Sequence, residues 1–338
     1  MGIYLKKLLP GKLDHDFLDS LLKRFTFQDE RVVAGAKVGE DATVIDMGDR
    51  YLLAKTDPIT FATEHIGHYA VHVNINDISC MGAAPKWFLA TILLPEKATS
   101  DLAEDIFSQL SDVCRQEKIV YCGGHTEVTV GLDRPLVIGQ MLGEVEKDKL
   151  VVKDGAQEND RILLVRRIPV EGTAIIAFEK YKELEETFSS EFVERCKNML
   201  FDPGISVRRE AEIAVNTAKV HAMHDPTEGG VATAIHELSL AAQLGCEIYA
   251  DKIPVMPEGK LACDMFDMNP LGVISSGALL LAVPPKSVNP IMQAYEENDI
   301  IVAEIGTLLH KDRGMVLIED ERKVPLPVFP QDEIVKIF

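Results

Sequence analysis

The feature that most constrains this chain is an alternation of strand-like and helix-like stretches, broken once by the polar run "KDGAQENDRI". Aliphatic segments closed by turn residues, such as "RYLLAKTDPI" and "KWFLATILLP", alternate with segments of helical period. In "SDLAEDIFSQLSDVCRQEK", Leu102, Ile106, Leu110 and Val113 form one stripe, and Asp101 with Glu104 has capping-box spacing. Such alternation calls for α/β or α+β layers. At 338 residues the chain exceeds what one core ordinarily serves, so two domains follow. The polar run sets their boundary, giving 1–152 and 153–338.

Within the first half, a helix is expected over 14–25, and two strands should meet at a Gly48-Asp49 turn. A helix follows in which Ile66, Ala70, Val73 and Asp77 share a face and Gly82 is the stop. The runs "IVYCGG" and "RPLVIGQMLGEV" read as strands. In the second half, helices are expected near 171–198 and 204–219, then in "VATAIHELSLAAQL" and "NPIMQAYEEND". "SSGALLLAVPP" reads as a strand and "VAEIGTLL" as the last strand.

Acidic residues number 54 against 35 basic, a net charge of −19 with no basic block, which argues against nucleic acid as a partner. No apolar run approaches membrane-spanning length, so no membrane segment is expected. The first residues lack a signal-peptide pattern, and "MG" is not followed by the Ser or Thr of a myristoylation signal. Six cysteines without a C-x-x-C pair read as reduced, mostly buried thiols, and the expectation is a cytoplasmic protein.

Asp41, Asp57 and Asp77 stand at the ends of separate elements. Each alone suits a turn or cap. Together they present oxygen ligands from several directions, the way a Mg²⁺ site is assembled. The Walker and Rossmann phosphate motifs are missing, so a phosphate would need another cradle. One candidate is Gly229-Gly230, ahead of a helix whose N-terminus offers free N–H groups. Asp225 and Thr227 precede it and are ordinary turn and capping residues as well. His224 and His236 read as structural, and Glu237 as a solvated helix residue. "CGGHTEV", with Gly123, Gly124, His125 and Glu127, reads as a turn, a metal corner or a catalytic corner.

"VGEDATVI", "KTDPIT", "VNINDISCMGAAP", "CGGHTEVT", "HDPTEGGVATAIHEL" and "SSGALLL" follow one another along nearly the whole chain. As a set they resemble the superfamily of aminoimidazole ribonucleotide synthetase, thiamine-monophosphate kinase, selenophosphate synthetase and the hydrogenase maturation factor HypE, with the HypE branch nearest. The resemblance implies a two-domain PurM-like α/β fold whose N-terminal domains pair into a barrel, hence a homodimer. It implies ATP and Mg²⁺ as cofactors and ATP-dependent activation of a small-molecule oxygen. By that likeness, Asp41, Asp57 and Asp77 match metal-binding acids. Asn76, Gly123, Gly124, Asp225, Thr227, Gly229 and Gly230 match the nucleotide-binding positions.

Three departures stand out. His125 occupies the place of an acid after the double glycine, so either Glu127 replaces that carboxylate, or His125 carries a proton, or His125 only fills space. Glu228 replaces an Arg of the HypE text. The chain ends "QDEIVKIF", without the terminal Cys of HypE. Three readings therefore stand: an ATP-dependent enzyme with a small-molecule substrate, a HypE-type protein using the thiol of a maturation partner, or a nucleotide-binding regulator with reduced catalysis.

Overall fold

A computed structural model describes residues 8, 13–27, 29–37, 39, 41–60 and 64–338. The myristoylation reading lies outside the described residues. The first sheet takes β1 (Val32–Ala34), β2 (Thr43–Asp46), β3 (Arg50–Ile59), β4 (Ala84–Leu94), β5 (Val120–Val128) and β6 (Leu136–Glu146) in the order β1-β2-β3-β6-β4-β5. Only the β4–β5 pair within it is parallel. α1 (His15–Phe25) precedes the sheet, and α2 (Ile66–Cys80) and α3 (Ser100–Gln116) complete this half.

Alternation decides the layering. Val137, Met141 and Val145 of β6 and Phe88, Ala90 and Ile92 of β4 are buried. Gly139 and Gly143 share that face of β6, and a Cβ there would stand 2.4 Å from Asn74 and from Ile78 of α2, so the glycines let the helix lie close. α2 is buried almost all round, because the second half covers the side that the sheet does not. The opposite face of the sheet carries Leu52, Trp87, Leu89, Leu93, Ile138 and Leu142, only half-buried.

The second half contains β7 (Arg161–Val165), β8 (Ala222–His224), β9 (Gly245–Tyr249), β10 (Leu279–Val283), β11 (Val302–Leu309), β12 (Met315–Glu319) and β13 (Arg322–Pro325). Their order is β13-β12-β9-β11-β7-β10-β8. β10 is buried at every position, and β7 at all but its first, as continuous apolar strands covered on both faces are. Ile162, Leu164, Leu280 and Ala282 pack with α8 (Gly230–Ala241). Leu163, Val165, Leu279 and Leu281 pack with α7 (Arg208–Thr217) and α10 (Pro285–Glu296). α4 (Val170–Glu179), α6 (Ser190–Asn198) and part of α9 (Pro257–Met265) share one core with α2 and the first sheet. α5 (Tyr181–Thr187) links α4 to α6.

Several expectations change on contact with the structure. Thr99, not Asp101, caps α3, its hydroxyl accepting from Leu102 N–H. "CGGHTEV" is not a turn: the strand expected in "IVYCGG" continues through it as the body of edge strand β5, with Gly123 and Gly124 at φ 148° and 146°. The helical region expected near 171–198 consists of three helices. β8, β9, α9, β12 and β13 were not expected, and β11 is not the last strand. Five cysteines are buried, but Cys122 is exposed.

Candidate functional site

Four aspartates and two lysines meet where β3 and α2 face β8 and the turn at Lys153–Gly155. Side chains two apart on a strand share a face, so Lys55 and Asp57 of β3 both look toward α2. Lys55 Nζ stands 3.6 Å from Asp57 Oδ2 and 3.2 Å from Asp77 Oδ2. Lys153 Nζ donates to Asp41 Oδ1 at 2.6 Å and lies 3.2 Å from His224 Nε2. His224 Nε2 is 2.7 Å from Glu237 Oε2. The ring's Nδ1 faces Asp41 Oδ1 at 3.8 Å and Asp225 Oδ1 at 3.9 Å. Cys80 Sγ, at the end of α2, lies 3.8 Å from Asp225 Oδ1.

Burial sets the electrostatics. Desolvation drives the Asp77 carboxyl well above the usual carboxylate range, helped by Asp225, Asp57 and Asp41 and opposed by Lys55. Asp225 is pushed up to about 7, first by burial and then by Asp41. Burial would raise Asp41 too, but Lys153, His224 and Lys55 outweigh it and hold Asp41 below its ordinary value. Burial would lower Lys55, yet Asp77, Asp57 and Asp41 together hold it above its ordinary range. His224 is lowered, by burial first and then by Lys153, which keeps the imidazole neutral. With the neutral histidine, five acids (Glu237 included) stand against two ammonium groups, and burial relieves the surplus charge by raising Asp77 and Asp225. Asp225 Oδ2 and His224 Nδ1 also lack hydrogen-bond partners. Oxygen-rich, anionic and under-satisfied, the set fits a divalent cation.

The other residues singled out in the sequence go elsewhere. Asn76 is buried, and its amide is committed to the second half: Nδ2 donates to Ile205 O at 2.8 Å and Oδ1 accepts from Val207 N–H at 2.9 Å. It thereby ties α2 to the segment ahead of α7. Gly229, with φ 80°, is the N-cap of α8, and Gly230 N–H donates to Thr227 O. A Cβ on Gly230 would stand 2.5 Å from Leu271 O, so the glycine permits that contact. Gly229 N–H is taken by Asp332 Oδ2 at 2.6 Å, a carboxylate of the chain itself at the place considered for a phosphate.

His125 and Glu127 pair with each other, Nε2 to Oε2 at 3.1 Å, with 66% and 48% of their side chains exposed. Gly123, Gly124 and His125 align with Leu89, Ala90 and Thr91 of β4. From Asp57 on β3 the row runs through Gly139 and Ala90 to Gly124. Three strand spacings of roughly 4.8 Å put β5 about 14 Å from β3. Within one chain, then, Asp41, Asp57, Asp77 and Asp225 come together, and the Gly123–Glu127 strand does not join them.

Sequence reasoning passed over Lys55 and Lys153, read His224 as merely structural, and took Glu237 for a solvated residue although it is buried. Two had signals. Lys55 shares the strand face of Asp57, and Glu237 continues the buried row Gly230, Ala234 at helical spacing. Lys153 lies in a polar run with no periodicity to mark it.

Family patterns for AIR synthase related proteins match the chain twice, the N-terminal domain at residues 39–145 and the C-terminal domain at 157–319. A Methanocaldococcus jannaschii protein named for hydrogenase expression/formation is 25% identical over 94% of this chain and 95% of its own length. Carbamoyl dehydratase HypE of Rhizobium leguminosarum bv. viciae is 24% identical over 83% and 80%. Among solved structures, the hydrogenase maturation protein HypE in complex with ATP superposes with a TM-score of 0.73 at 22% identity, covering 96% of this chain and 98% of that one. The thiamine monophosphate kinase of Aquifex aeolicus gives 0.71 at 21% identity, covering 92% and 98%.

Proposed function

We propose that this chain, which belongs to the AIR synthase related family, is an ATP-dependent enzyme that activates an oxygen of a small molecule by phosphoryl transfer. The observation that carries the reading is the meeting of Asp41, Asp57, Asp77 and Asp225, drawn from separate elements, with buried polar atoms left unpartnered among them. Solved structures of the same fold hold ATP, or AMPPCP and TMP, which supports a nucleotide as this chain's ligand. These carboxylates would hold Mg²⁺, which when bound offsets phosphate charge. Lys55 stays charged on the same strand face as Asp57 and offers a fixed cation toward the phosphates. Lys153 and Asn76 keep the two halves in register, Lys153 through Asp41 and Asn76 through Ile205 and Val207.

Calorimetry with ATP, with and without Mg²⁺, tests the reading. Binding should require Mg²⁺ and vanish in an Asp57→Ala/Asp77→Ala variant. Equal affinity without Mg²⁺ overturns it.

A HypE-type role, with a thiol supplied by a maturation partner, is the second reading. It is favoured by relatives named carbamoyl dehydratase HypE and by a solved HypE–HypF complex of the same fold. We further infer a homodimer through the first sheet. Its open face carries half-buried aliphatic side chains, and among the described residues β5 has no strand on its outer side, features that a second copy would cover. Among the described residues, no helix is long and apolar enough to cross a membrane.

A further inference from the structure

We propose that His224 joins Asp41 and Asp225 in a mixed nitrogen–oxygen seat that takes a first-row transition divalent cation, such as Mn²⁺, in preference to Mg²⁺. The inference rests on the reading of Asp41 and Asp225 as metal ligands and adds a ligand that changes which metal they hold.

One ligand atom from each of the three residues lies within 4.8 Å of the other two. Two atoms each about 2.1 Å from one ion stand at most about 4.2 Å apart, so separations of 3.8 and 3.9 Å fit a shared cation. The independent sign is unsatisfied chemistry. His224 is 4% exposed and Asp225 1%, yet His224 Nδ1 and Asp225 Oδ2 have no partner. Buried polar atoms without partners are uncommon in folded proteins, and here both belong to one three-residue cluster.

The ring's orientation is fixed from behind. An anionic Glu237 carboxylate 2.7 Å from Nε2 accepts the Nε2–H and leaves the Nδ1 lone pair facing the aspartates. A carboxylate behind a ligating histidine is the common way to fix its tautomer and raise its basicity. Lys153 Nζ stands on the Nε2 side as well, 3.2 Å from that nitrogen. Glu237 is therefore a positioning residue. Lys153 also holds Asp41 Oδ1, so an arriving ion shares that carboxylate with the ammonium.

A neutral imidazole discriminates between metals. Mg²⁺ prefers oxygen and keeps much of its water, whereas imidazole nitrogen suits transition cations. An all-oxygen site suits Mg²⁺, and one buried histidine shifts the balance toward a transition cation.

The test uses the full-length protein and Mn²⁺ alone, without nucleotide. Loss of the free-Mn²⁺ electron paramagnetic resonance signal gives the affinity, and ¹⁴N modulation in the spin echo reports nitrogen bound to the metal. Parent protein should bind Mn²⁺ at least about tenfold more tightly than competing Mg²⁺, with ¹⁴N modulation. His224→Gln should lose the modulation. The near-isosteric Glu237→Gln should weaken Mn²⁺ about ten- to hundredfold while remaining folded by circular dichroism. Absence of Mn²⁺ binding, Mn²⁺ bound without ¹⁴N modulation, or equal Mg²⁺ affinity would each overturn the seat. Calorimetry with Mg²⁺ and ATP on the same samples separates the two readings. Retained ATP binding without nitrogen coupling removes the histidine ligand alone. Nitrogen coupling without ATP binding removes the nucleotide reading alone.

Discussion

Lys153 Nζ and Asp41 Oδ1 form a 2.6 Å hydrogen-bonded ion pair that links the turn ahead of the second sheet to the loop ahead of β2, with both side chains buried. Removing one partner of a buried pair leaves the other charge uncompensated, which costs about 3–5 kcal/mol. Lys153→Met should lower stability by that order in urea denaturation at neutral pH without divalent ions. Added Mn²⁺ should recover more stability in the variant than in the parent, since a metal cation can replace the lost ammonium beside Asp41. A loss within about 1 kcal/mol, the range of a surface pair, would show that Asp41 is compensated in some other way.

The importance of Lys153 could not have been read locally. Its partners Asp41 and His224 lie 112 and 71 residues away in the chain, and a polar run gives no periodicity that foretells a buried ammonium. The aspartates were legible as oxygen ligands on separate segments of clear period, although Asp57 and Asp77 lie inside β3 (Arg50–Ile59) and α2 (Ile66–Cys80) and not at their ends as expected. The second sheet's core was legible where β7 and β10 read as uninterrupted aliphatic runs. Short strands such as Arg322–Pro325, mostly exposed and rich in charge, carry no such pattern and are set by pairing with Met315–Glu319. Gly123-Gly124 misled for a physical reason: glycine suits a turn, but it equally suits a strand that must lie close to its neighbour.

That last point has a measurable consequence. A Cβ on Gly124 would stand 1.8 Å from Ala90 O, whereas one on Gly123 would meet nothing within 4 Å. Both have positive φ, so both alanine substitutions carry backbone strain of about 1–3 kcal/mol. Only Gly124→Ala adds a clash with the β4 backbone, with overpacking worth about a further 1–3 kcal/mol. Thermal unfolding should place Gly124→Ala clearly below Gly123→Ala. Equal midpoints would mean that β5 is not held against β4 as described.

His72 predicts a pH dependence. Burial, and then the neighbouring His68 ring, lower its pKa from 6.5 to about 3, and its Nδ1 has no partner. The folded value lies below the unfolded one, so the unfolded chain binds the extra proton between the two. The contribution is complete above pH 6.5 and is lost as pH falls toward 3. At pH 5 the loss is about 2 kcal/mol, from roughly 1.5 pH units at 1.36 kcal/mol each. His72→Phe removes the titration. Between pH 7 and pH 5, the stability difference between parent and variant should therefore shift by about 2 kcal/mol in favour of the variant. An unchanged difference would show that the ring is hydrated in the folded state.

The distance between His125 and the aspartates leads to the final prediction. With β5 about 14 Å from β3, His125 and Glu127 can serve the carboxylate cluster only if a second copy brings its own β5 there. In a twofold dimer each site would then take its acids from one subunit and its β5 strand from the other. An acid-deficient variant, Asp57→Ala/Asp77→Ala, and a strand variant, His125→Asn/Glu127→Gln, should each bind Mg²⁺·ATP poorly when pure. Mixing them and allowing subunits to exchange should rebuild one intact site in every mixed dimer. Half of the dimers being mixed, about one quarter of the parental sites should return, read as binding stoichiometry by calorimetry. No recovery in a sample shown by light scattering to contain exchanged dimers would confine the site to one chain. Full binding by the pure strand variant would leave the His125–Glu127 pair outside nucleotide binding altogether, as an exposed contact on a strand edge.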